Sequence, residues 1–244
     1  MIFRQLCTRD RIGALAYLLG DPVTREAVII DPLPPLVEEL EDFTRQRGLH
    51  LRYCMQTHHD EGHVAAAQAL RESHGARLLA HEEVRSNAVD VRVRDGDVIY
   101  FGEERLRVIH LPGLTPCAVA FAWEDRLFTG LTLLANGLNG RLRGRARAQA
   151  RKLVESRILS FAGETLLYPS REIRGRRLAS VAELRCQMAG KGPDGGSGHF
   201  LRRCALLIND KKTEAASPQE DRPHQDTAND LQRYAPGFYT PASS

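Results

Sequence analysis

Between residues 26 and 80 the chain switches repeatedly between two hydrophobic periods, and this switching limits the available folds more than any other feature. Glu26–Ile30 is a short β-prone run, and Leu36, Leu40 and Phe43 then recur at helical spacing until Gly48. Residues 51–56 form a second apolar run. Val64, Ala67 and Leu70 mark a second helix that ends near His74 and Gly75, and residues 77–80 are β-prone again. Strand, helix, strand, helix, strand at these lengths predicts βαβ units and hence a layered α/β fold.

The flanking segments predict how that unit is completed. Ahead of it, residues 14–19 and 26–30 are joined by Gly20-Asp21-Pro22, a strong turn signal, so the chain is expected to open with a hairpin. From Val91 the pattern becomes strands only, at 97–101, 105–110, 117–123 and 126–129, which predicts a meander packed on the first half. A helix over 147–161, a strand over 165–168 and a helix over 178–188 follow. We expect one domain over 1–189 and a disordered tail over 190–244, where Gly-Pro-Asp-Gly-Gly-Ser-Gly and scattered charge replace periodicity and only 200–208 is apolar.

Compartment follows from what is missing. The first ten residues carry Arg4, Arg9 and Asp10 without a long apolar run, and no stretch of 18 apolar residues occurs, so neither a secretory signal nor a membrane span is expected. Five scattered cysteines, Cys7, Cys54, Cys117, Cys186 and Cys204, contain no Cys-x-x-Cys pair. They fit neither a disulfide framework nor a cysteine zinc site, and a reducing cytoplasm is the expected location.

The densest chemistry lies where the strand over 51–56 hands over to its helix: Thr57-His58-His59-Asp60-Glu61-Gly62-His63. Neutral imidazole and carboxylate oxygen both suit zinc or iron, so this run of three histidines and two acids is a candidate metal site.

Several short signatures resemble the metallo-β-lactamase fold, in its branch of persulfide dioxygenase and glyoxalase II-like enzymes. Tyr17-Leu18-Leu19-Gly20-Asp21-Pro22 followed by Ala27-Val28-Ile29-Ile30-Asp31-Pro32 is similar to the N-terminal hairpin of the persulfide dioxygenases. The resemblance covers residues 1–189 and implies an αββα sandwich. It also implies metal ligands in four motifs, which this chain alters. His58 and His63 stand in the first and last His positions of Thr-His-x-His-x-Asp-His, but Asp60 occupies the middle His position and Gly62 the Asp position. The resemblance thus leaves His58, Asp60 and His63 as candidate ligands, while His59, at the variable position, and His110, just before a turn, are not ligand positions and are expected to be structural. Pro112-Gly113-Leu114-Thr115-Pro116 puts Leu114 in place of a His, Phe128-Thr129-Gly130-Leu131 puts Leu131 in place of the bridging Asp, and Tyr168-Pro169-Ser170-Arg171 puts Arg171 in place of the last His. Leucine has no lone pair, and an arginine, always protonated, repels a cation.

The resemblance with these substitutions implies no resident cofactor, or at most a single zinc or iron ion on His58, Asp60 and His63. It also suggests a substitute for the metal: Arg171 paired with Asp60, with Leu114 and Leu131 filling the vacated volume. Residues 141–177 carry eleven basic side chains against three acidic ones, a local charge of +8 in a chain of net +3. In the persulfide dioxygenase branch this segment lines the thiol-substrate entrance, so Arg141, Arg143 and Arg145 are candidates for binding a small anionic or thiol ligand. Nucleic acid is the alternative, weakened because no aromatic residue interleaves the arginines before Phe161. The expected function is a non-catalytic binding or regulatory module, with an enzyme of reduced metal site, a hydrolase or sulfur dioxygenase on a glutathione-linked substrate, as the alternative.

Overall fold

A computed structural model describes residues 1–189; the expected tail over 190–244 lies outside the described residues. Six strands form the first sheet, in spatial order equal to chain order: β1 (Ile2–Cys7), β2 (Leu15–Gly20), β3 (Glu26–Ile30), β4 (His50–Met55), β5 (Arg77–His81) and β6 (Val91–Val93). β1, β2 and β3 are antiparallel neighbours, whereas β3, β4, β5 and β6 run parallel. The parallel steps need crossovers, and α1 (Val37–Gln46) and α2 (Glu61–His74) supply the first two.

The second sheet holds the predicted meander, β7 (Val98–Phe101), β8 (Glu104–His110), β9 (Val119–Trp123) and β10 (Arg126–Gly130), all antiparallel to their chain neighbours. After a small hairpin of β11 (Leu133–Leu134) and β12 (Gly137–Leu138), α3 (Gly144–Leu153) runs into a π-helical turn over Val154–Ile158. β13 (Leu166–Pro169) then adds parallel to β10, β14 (Ala179–Ser180) pairs with β13, and α4 (Val181–Met188) closes the described chain.

The layers follow from the period of two along each strand. Leu15, Tyr17 and Leu19 of β2 face the second sheet and join Phe101, Phe121, Trp123, Phe128 and Tyr168 in the central core. Ala16 and Leu18, between them, face the other way onto Leu36, Leu40, Val64, Ala67 and Leu70 of the first helical layer. Ile109, Ala120, Leu127 and Leu167 cover the outer face of the second sheet against Val154, Ile158 and Leu184. This is the expected αββα sandwich.

Some expectations change. The chain opens not with the hairpin but with β1, whose Ile2 and Leu6 are buried against the first helical layer and whose Phe3 and Cys7 pack on the central core. The third helix begins at Gly144, three residues earlier than the apolar periodicity indicates, because its first two turns are exposed and carry no apolar stripe. Gly48 and Gly75 end α1 and α2 at φ +60° and +69°, the left-handed conformation that glycine adopts without a Cβ penalty. Among the described residues no helix is long and apolar enough to cross a membrane.

Candidate metal and ligand site at the strand ends

β3, β4, β10 and β13 all finish at one edge of the sandwich, and a carboxylate ties three of those ends together. Asp31, immediately after β3, is fully buried and adopts φ +52°. Its Oδ1 accepts the Thr57 backbone N–H at 2.7 Å. Its Oδ2 accepts the Thr57 hydroxyl at 2.6 Å and the Ser170 hydroxyl at 2.5 Å. Thr57 follows β4 and Ser170 follows β13, so the carboxylate joins the first sheet to the second. Backbone bonds reinforce the junction: Val119 N–H donates to Thr57 O at 2.8 Å and Ser170 N–H to Gly130 O at 3.0 Å. Gly130, at φ +63°, is required here, since a Cβ would lie 2.8 Å from Thr57 Oγ1.

On this platform sit His58 and His63, with ring centroids 5.0 Å apart and planes nearly perpendicular. One donor atom each from Asp31, His58 and His63 lies within 4.8 Å of the others, and all three residues are buried. The hydrogen bonds determine which nitrogens carry protons. The Pro32 carbonyl can only accept, so His63 Nδ1, 2.8 Å away, must donate. The single Thr57 hydroxyl hydrogen goes to Asp31, so Thr57 Oγ1 accepts from His58 Nδ1 at 2.9 Å. In neutral rings both Nε2 atoms then bear lone pairs, the tautomer in which a metal-binding histidine is held by its other nitrogen. Burial pushes the His58 pKa down, against the pull of Asp31.

The carboxylate of the cluster is not the one the sequence motif indicates. Asp60 is exposed and caps α2, accepting the Gly62 N–H at 2.8 Å. It is the N-cap with Glu61 in the first turn, a helix-start pattern rather than a ligand. His59 is half-buried and lies 3.7 Å from Glu61. His110 stacks on His81 with centroids 4.2 Å apart and hydrogen-bonds the Pro116 carbonyl, the structural role expected of it.

The suggested ion pair is also absent. Among the described residues no ion pair joins Arg171 to Asp60; the Arg171 backbone bridges Ala14, and its side chain is half-buried. Leu114 is 36% exposed at its turn and fills no vacated space, and Leu131 is half-buried. Gly62 is part of the first turn of α2.

Arg141, Arg143 and Arg145 are exposed. Asn139 connects the start of this basic segment to the edge of the site: its side chain donates to Leu131 O at 2.8 Å and accepts the Arg141 N–H at 3.0 Å. Among the described residues, Arg141, Arg145 and Arg147 have no carboxylate within ion-pair distance.

Sequence reasoning missed Asp31, Thr57 and Ser170. Asp31 and Thr57 each end a buried parallel strand, and β3 and β4 are neighbours, so the signal available was an acid and a hydroxyl directly after two apolar runs. Nothing local in the sequence indicates that Ser170 joins them.

Comparison with known proteins points one way. The family description "Metallo-beta-lactamase superfamily" matches residues 9–137. The mitochondrial persulfide dioxygenase ETHE1 of Homo sapiens is 32% identical over 177 residues, covering 69% of this chain and 68% of that one. A hydroxyacylglutathione hydrolase of Cereibacter sphaeroides is 32% identical over 175 residues, covering 69% of this chain and 66% of the hydrolase. The crystal structure of ETHE1 from Myxococcus xanthus superposes with a TM-score of 0.69 at 26% identity, over 88% of this chain and 100% of that one.

Proposed function

This chain belongs to the metallo-beta-lactamase superfamily, and from that footing we propose that it is a binding or regulatory module for a small anionic or thiol-bearing ligand rather than a catalyst of its relatives' reactions. One observation carries the reading. The turns after β8, β10 and β13 carry Leu114, Leu131 and Arg171, the residues at which the resemblance to persulfide dioxygenases implies metal ligands. Two of these cannot donate a lone pair and the third carries a fixed positive charge, so the residues present do not fit the relatives' full set of metal ligands. A cation at residue 171 and, after Asn139, Arg141, Arg145 and Arg147, which have no ion pair among the described residues, suit a carboxylate or phosphate instead. The free cysteines Cys7, Cys54, Cys117 and Cys186 agree with a reducing cytoplasm as its place of action.

A second reading rests on the buried Asp31, His58 and His63 cluster, a carboxylate and two imidazoles of the kind that hold catalytic zinc. A metal there would supply Lewis acidity. In that case the chain is a hydrolase or dioxygenase acting on a glutathione-linked sulfur substrate. The two readings separate in one set of measurements on the purified protein. Turnover of a hydroxyacylglutathione thioester or of glutathione persulfide, lost in His58→Ala, selects the enzyme. Calorimetric binding of glutathione without turnover, weakened about tenfold or more when Arg141, Arg143 and Arg145 are all changed to alanine, selects the binding module.

A further inference from the structure

His63 presents a problem that its surroundings do not solve. The ring is 4% exposed, its Nδ1 is committed to the Pro32 carbonyl, and its Nε2 is buried with no hydrogen-bond partner. The nearest charged group is Asp31 Oδ1, 3.8 Å away. That distance is too long for a hydrogen bond, and in a neutral ring it brings two lone-pair acceptors together in a site with little water. An orphaned buried acceptor facing a buried carboxylate is an arrangement that a cation between them would satisfy.

We propose that a single divalent cation of zinc type binds between Asp31 Oδ1, His63 Nε2 and the imidazole of His58, in a site whose carboxylate is Asp31 rather than any acid of the histidine motif. Three features support the donor set. His58 and His63 each have Nδ1 held by a protein acceptor, which orients the ring and leaves the other nitrogen basic. Asp31 is oriented by Thr57 and Ser170; its Oδ2 accepts both hydroxyls, whereas Oδ1 accepts only the Thr57 N–H and keeps a lone pair for a further contact. Two imidazoles with one carboxylate favour zinc or iron over magnesium or calcium, which take mainly oxygen ligands. This inference concerns metal occupancy and holds whether or not the chain turns over a substrate.

The test uses the full chain stripped with a chelator and titrated with Zn(II), then with Co(II) as a spectroscopic probe, in the absence of any thiol or glutathione. We expect one ion per chain, a rise in melting temperature on loading, and Co(II) visible bands of a low-coordinate nitrogen and oxygen site. His63→Ala should weaken binding at least 100-fold, and Asp60→Ala should leave it within about threefold. Because Asp31→Asn also weakens the fold, the carboxylate is checked on the wild-type zinc protein by X-ray absorption, which should report two imidazoles and a carboxylate oxygen at about 2.0–2.2 Å in the first coordination sphere; a sphere without the carboxylate oxygen would overturn the assignment of Asp31. Absence of stoichiometric binding, binding unaffected by His63→Ala, or binding lost in a folded Asp60→Ala would each overturn the proposal. Glutathione affinity measured on the metal-free protein tests the binding-module reading separately, so either can fail alone.

Discussion

Replacing Asp31 by asparagine tests whether one carboxylate holds the two sheets together at the site. The side chain accepts three hydrogen bonds, at 2.7, 2.6 and 2.5 Å, from Thr57 N–H, Thr57 Oγ1 and Ser170 Oγ. An amide in the same place can keep its oxygen toward the two hydroxyls, but its NH2 then meets the Thr57 N–H, donor against donor. One hydrogen bond to a charged group, worth about 1.5–3 kcal/mol, is lost, and two others fall from charge-assisted to neutral strength, about 0.5–1 kcal/mol each. Some of this returns if the new NH2 reaches His63 Nε2, so a net loss of about 3 kcal/mol is expected. For a domain of this size that lowers the melting temperature by about 6–12 °C. The measurement is a thermal melt with excess chelator, so that no bound cation contributes. A double-mutant cycle with Ser170→Ala should show a coupling of at least about 1 kcal/mol, since the two side chains touch. Melting of Asp31→Asn within 2 °C of wild type, or additive behaviour with Ser170→Ala, would refute the hub.

Three further outcomes are expected. Asp21 is held at a pKa of about 2, chiefly by the Glu103 backbone N–H, with Val23 N–H and the Thr24 hydroxyl adding to it. A depressed carboxylate stabilises the fold above its unfolded value near ~4, and that stabilisation is lost as pH falls through the folded value. Asp21→Asn should therefore flatten the stability loss between about pH 4 and pH 2 in acid-unfolding curves. Tyr17 is buried in the central core and its hydroxyl donates to Pro169 O, so Tyr17→Phe should cost about 1–3 kcal/mol in denaturant unfolding by leaving that carbonyl unsatisfied. Asp60→Ala should remove the cap of α2 at about 1 kcal/mol, a melting shift of about 2–4 °C.

Most of the architecture was legible without coordinates, because apolar period reports which face of an element is buried. Residues 26–80 show this: three parallel-strand runs and two helical stripes, with Gly48 and Gly75 as stops, appear in the structure within one or two residues of where the pattern placed them. β1 was missed because Arg4 interrupts the face that Ile2 and Leu6 bury and Gln5 the face that Phe3 and Cys7 present to the core, so neither face shows a continuous apolar alternation. β11 and β12, two residues each, are too short to carry a period at all.

The site divides the same way. The sequence alone determined that His58 and His63 lie on either side of a helix start, that Leu114, Leu131 and Arg171 stand at turns in the second half of the domain, and that the chemistry of those three differs from imidazole and carboxylate. Which acid meets the histidines was decided by tertiary structure. Asp60 is two residues from His58, but the helix that begins at Glu61 needs its first N–H groups capped, and that local demand takes the carboxylate. Asp31 is 27 residues away in the chain and adjacent in space, because β3 and β4 are hydrogen-bonded neighbours whose ends coincide. Ser170, more distant still, arrives because β13 inserts next to β10 and brings the far end of the domain to the same edge. Periodicity records the face that each element buries, whereas the partner of a charged group at a strand end depends on sheet order, which no local pattern contains.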